Sequence, residues 1–205
     1  MTTKTNKASG GAAKEAERLL EEGDTAAIAA HADNLVSGGR TAATQSARVI
    51  SELVSKKPDT IASYVDRFVT GLRSENKRVV QASAEALPAV AQVAPARVAK
   101  HLDRLKEGFD ELSDVAQDGI VRTFANLCAA SVAYQKRLEP VLKQALSSAD
   151  GKMLVGWTKT VLPALKGEPH ANAKEVVAGR LGAIDKAHAQ AIAEFLGIKL
   201  RTRAR

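Results

Sequence analysis

Apolar residues recur along the chain on two scales. The shorter is helical: Ile61, Val65, Phe68 and Leu72 share one face, and after a polar break Val80, Ala84, Leu87 and Ala91 do the same. The longer is a period of 37 residues, visible when "PDTIASYVDRFVTGL" (58–72) is laid on "PARVAKHLDRLKEGF" (95–109). Pro58 then falls on Pro95, Asp66-Arg67 on Asp103-Arg104 and Gly71 on Gly108. The same step aligns Phe68, Leu105 and Leu142, and it aligns Ile50, Leu87, Phe124 and Val161. Each period therefore predicts helix A, a short turn and helix B.

The turn has its own signature. Gly39, Asn76, Ser113 and Asp150 occupy one register position, and all four types accept N-cap geometry. Pro58, Pro95, Val132 and Pro169 mark unit starts. Repeats are expected at 24–57, 58–94, 95–131, 132–168 and, in divergent form, 169–197. A single helical hairpin of this size cannot bury its apolar face, so neighbours must stack. Helix 12–22, "AAKEAERLLEE", is amphipathic and suits an N-terminal cap, while 185–196 suits the other end. The expected architecture is all-α: an α-solenoid superhelix of about five hairpins over 12–198, with tails at 1–11 and 199–205 expected to be disordered.

The stretch "LRSENKRVVQASAEALPAVA" (72–91) carries a Leu closing helix A, a polar turn, and then Val, Ala and Ala-Leu along helix B. In this it resembles the HEAT-repeat family of HEAT-like, armadillo-type solenoids, over about 24–168. The Arg that follows the helix-B Val in a common HEAT pattern is absent; Val80 or Gln81 stands there. The resemblance implies a fold shared by scaffolds, transport factors and DNA-repair enzymes, and B helices that line a concave face.

Composition refines the picture. Aromatics make up only 3% of the chain. An alanine-rich core of this kind demands close backbones, which suits packed helices. The net charge of +7 invites a nucleic-acid reading. However, Lys4, Lys7, Lys14, Lys199, Arg201, Arg203 and Arg205 supply the whole excess, and 15–198 balances to zero. Lys199, Arg201, Arg203 and Arg205 are thus candidate phosphate contacts. The single cysteine excludes an internal disulfide, and no leader-like or membrane-spanning run is present. A soluble, cytoplasmic, reducing setting is expected.

Catalytic patterns are absent. "SSADGKM" (147–153) lacks the leading glycine and the Ser/Thr of a phosphate-binding loop. His31, His101, His170 and His188 show no metal-ligand spacing beyond an isolated Asp185/His188 pair, so no metal, cofactor or catalytic residue is expected. Cys128 sits in an apolar register. Trp157 is read as a core plug. Exposed beside a carboxylate, it would instead suit a base-excision glycosylase, an activity known among HEAT-like proteins and the least favoured reading.

Steps of 37 along the polar side of helix B collect the candidate protein-binding residues. Arg48 leads to Glu85, Arg122 and Lys159; Thr41 leads to Arg78 and Lys152; Thr44 leads to Gln81 and Asp118. This ladder has mixed sign, which suits a peptide or protein partner better than a duplex. The acids between Glu107 and Asp118 would interrupt a phosphate track. The leading expectation is a non-enzymatic adaptor that binds a protein partner, with nucleic-acid association through the basic ends as the alternative.

Overall fold

The computed structural model describes residues 3–200, with side chains from Gly10 onward. The elements are α1 (Thr3–Glu22), α2 (Thr25–Ser37), α3 (Arg40–Lys56), a 3-10 segment Pro58–Tyr64, α4 (Val65–Gly71), α5 (Lys77–Val93), α6 (Pro95–Ala99), α7 (Leu102–Lys106), a 3-10 turn Phe109–Glu111, α8 (Asp114–Ala130), α9 (Val132–Ser148), α10 (Gly151–Ala164), α11 (Gly167–Arg180) and α12 (Lys186–Leu196). There is no strand among the described residues, and the helical pairs follow the 37-residue cadence. Two compact units divide within α8: Met1–Thr123 and Phe124–Arg205.

Several boundaries follow from local chemistry. Asn76 caps α5 by accepting from the Arg78 N–H at 3.0 Å, and Asp150 caps α10 by accepting from the Met153 N–H at 2.7 Å. Each side-chain oxygen satisfies an orphan donor of a first helical turn. Gly39 occupies the same cap position for α3 without a side-chain bond. α1 takes in residues 3–11, which the sequence pattern assigned to a tail.

The A segments depart from expectation. In the second and third repeats they are not single helices; both break at one register position, Tyr64 (φ −106, ψ 22) and His101 (φ −110, ψ 11). These torsions lie near the bridge region, where the α-helical ladder is interrupted. The equivalent Leu138 is a stronger helix former and sits inside the unbroken α9, which Ser131 caps through the Ala133 N–H at 3.2 Å.

In the first unit the repeated apolar positions close into a core. Ile50, Ile61, Phe68, Leu87 and Ala91 are fully buried, with Leu19 of α1. Each large side chain stabilises by about 1.5–3 kcal/mol. Alanine allows close approach: a Cβ added to Gly119 of α8 would lie 2.6 Å from the Cα of Ala84 on α5. Polar bonds tie the edges. Arg67 Nε donates to Asp33 Oδ1 at 2.7 Å, Arg97 Nη1 to Ser63 Oγ at 3.1 Å, and Arg104 Nη2 to Thr70 Oγ1 at 3.0 Å, each across 34 residues.

In the second unit Leu138, Leu142, Leu146, Leu154, Trp157, Val161 and Val177 are buried. A buried polar group joins its segments. Gln135 Nε2 donates to Cys128 O at 3.1 Å and Ala164 O at 3.3 Å, and its Oε1 accepts from the Lys166 N–H at 3.2 Å. Both carbonyls lie near helix C-termini, where intrahelical partners run out.

Candidate functional site

The polar side of the B helices in the first unit forms a cleft of about 340 Å³. α1 contributes Ala12 to its wall; α3 contributes Ala47, Arg48, Ser51 and Glu52; α5 contributes Arg78, Gln81 and Glu85. Four of the residues collected by stepping along the repeat, Arg48, Arg78, Gln81 and Glu85, are thus brought together. Ser51 and Glu52 escaped that reading, although they lie one turn from Arg48 and on its helix face.

Hydrogen bonding divides these groups. Both Glu85 oxygens are engaged: Oε1 accepts from Gln81 Nε2 at 2.7 Å and Oε2 from Ser51 Oγ at 2.7 Å. The Arg48 and Arg78 side chains make no hydrogen bond or ion pair within 4.0 Å among the described residues. Arg48 is half-buried and Arg78 exposed, and the first turn of α5 carries Lys77 and Arg78 with no acid.

Asp118 and Arg122 turn to each other instead. Arg122 Nε donates to Asp118 Oδ2 at 2.8 Å, an i,i+4 pair on α8. Arg122 Nη2 also donates to Ala84 O at 3.3 Å. Pro88, inside α5, explains why that carbonyl is available: it has no N–H to return to the carbonyl four residues earlier. Arg122 therefore mends a helical ladder.

Lys152 and Lys159 are exposed on α10, in the second unit. Lys199 is exposed beyond α12, while Arg201, Arg203 and Arg205 lie outside the described residues. Trp157 is 2% exposed, so it offers no stacking surface for an extruded base, and the glycosylase reading loses its key residue.

The remaining candidate groups serve the fold. Burial pushes the Cys128 thiol up to about 12, far from a nucleophile's range. Asp185 caps α12 through the Ala187 and His188 N–H groups and also pairs with the His188 ring. That hydrogen bond holds its carboxyl below the ordinary range. His31 lies 3.0 Å from Ser46 Oγ and 4.0 Å from Glu15 Oε1, and burial lowers its pKa despite the Glu15 charge. Among the described residues no group of three or more metal-ligating side chains occurs, and no helix is long and apolar enough to cross a membrane.

No protein-family model and no curated protein sequence matches the chain. Solved structures do. The designed armadillo repeat protein YIII(Dq.V1)4CPAF in complex with peptide (KR)4 superposes with a TM-score of 0.64 at 16% identity, over 92% of this chain and 88% of that one. The designed armadillo repeat protein YIII(Dq)4CqI gives 0.63 at 17% identity, over 93% and 90%. The likeness shows the fold: this chain is an all-α repeat protein of the HEAT/armadillo solenoid type.

Proposed function

We propose that the chain is a non-enzymatic binding module whose B-helix face in the first unit receives a peptide or protein segment. The observation that carries this reading is the cleft between α1, α3 and α5, with two arginines left unpaired at its lining. Side chains held ready but unspent internally are what a recognition surface needs. The fold supports the same reading, since one structural neighbour is a repeat protein in complex with a peptide. Arg122 is less suited to contact a partner than Arg48 or Arg78, because its Nε and Nη2 already hold Asp118 and the Ala84 carbonyl.

A peptide array of varied charge, probed with the full chain, tests this. Peptides that bind wild type should lose most of their signal with the Arg48→Ala/Arg78→Ala double variant. An array with no binder, or binders indifferent to the double variant, contradicts the assignment.

A further inference from the structure

Four ionisable side chains line the cleft, Arg48, Arg78, Glu52 and Glu85, and their formal charges cancel. Net charge therefore does not choose the occupant; unspent hydrogen-bonding capacity does. Glu85 has given both carboxylate oxygens to Gln81 and Ser51. Lys56 is paired with Glu17 at 2.8 Å, so the Glu52 side chain makes no hydrogen bond or ion pair among the described residues, and two free guanidinium groups face one free carboxylate. Each arginine keeps a planar fork of five N–H donors. Arg48 is half-buried as a residue, and a hydrogen bond made there is less exposed to competing water than one made by Arg78. The exposed cations Arg40 and Lys77 stand in the first turns of α3 and α5, with no acid in either turn.

Resting on the binding role proposed above, we infer that the cleft selects acidic peptides: its occupant is an extended segment that places an Asp or Glu carboxylate against Arg48 and Arg78. Carboxylate matches the guanidinium fork in geometry and charge, whereas a Lys- or Arg-bearing peptide would meet two unpaired cations in the same lining. Specificity here comes as much from that repulsion as from attraction.

The test is fluorescence anisotropy of the full chain with labelled (EA)4, (QA)4 and (KA)4 peptides, in low and moderate salt. The Glu peptide should bind at least about tenfold tighter than the Gln peptide. Arg48→Gln/Arg78→Gln should erase that preference while leaving the melting temperature unchanged, since neither side chain has an internal partner. A preference for the Lys peptide, or a Glu preference that survives the double arginine variant, overturns the acidic selectivity but leaves a peptide-binding role standing. Absence of binding by all three peptides also overturns it; the binding role of the cleft itself falls if the array finds no binder or only binders indifferent to the double arginine variant.

Discussion

The two units join their repeats by different means. In the first, Arg67, Arg97 and Arg104 cross between neighbouring A segments at the surface, and further in, Gly119 packs closely on Ala84 while Ser51 bonds Glu85 and Arg122 the Ala84 carbonyl, both part-buried. In the second, one buried amide, Gln135, serves three backbone groups. Of the three arginine contacts only Arg67–Asp33 is an ion pair, and exposed pairs typically contribute below about 1 kcal/mol because water screens them. A buried polar hub matters more, since removing it strands its partners away from solvent. The lesson is that the first unit can lose edge charges cheaply. The second has an edge bond of its own, from Asn172 to Glu139 at 2.7 Å, but adds the buried Gln135.

Breaking the hub should have the largest effect. Gln135→Ala strands two carbonyls and one N–H and should cost about 3 kcal/mol in urea unfolding. It should also speed labelling of Cys128 by a thiol reagent, which wild type resists through burial. Next comes the close approach in the first unit. Gly119→Ala forces a methyl against the Ala84 backbone and should cost about 2 kcal/mol by the same measurement. If Gly119→Ala proves neutral, the helices are not held apart by that contact and the contrast between the units weakens.

A smaller effect sharpens the role of Arg122. Arg122→Ala should cost about 1 kcal/mol in wild type, because the Ala84 carbonyl loses its donor. In a Pro88→Ala background the helix can supply its own N–H to that carbonyl, so the same substitution should cost less. A double-mutant cycle measures the difference, and strict additivity would remove the repair role.

The smallest effect concerns pH. Burial holds His31 below its ordinary 6.5 in the folded state, so the unfolded chain binds this proton more readily. Stability from this group is therefore complete above about 6.5 and declines as pH falls through that value toward the lower folded one. Urea midpoints across this range should drop less in His31→Asn than in wild type.

The B helices were legible because their apolar faces repeat in kind. Ile50, Leu87, Phe124 and Val161 are all buried, and Asn76 and Asp150 cap where the polar break placed them. The interruptions at Tyr64 and His101 were not, since apolar spacing reports which face is buried and says nothing of backbone torsions. Half the cleft was legible for a similar reason: stepping by 37 preserves face, and so found Arg48, Arg78, Gln81 and Glu85. It could not separate free charges from spent ones. Arg122 pairs with Asp118 and with a carbonyl 38 residues away, a contact that depends on Pro88 and on tertiary packing.

The claim that the B-helix face of the first unit is the recognition surface is tested most directly by titrating an isotope-labelled full chain with an array-selected peptide and following amide and Arg side-chain NMR shifts. The account predicts that Arg48, Ser51, Arg78, Gln81 and Glu85 move first and furthest. Shifts confined to the A segments 58–71 and 95–106, with those five residues still, would contradict it.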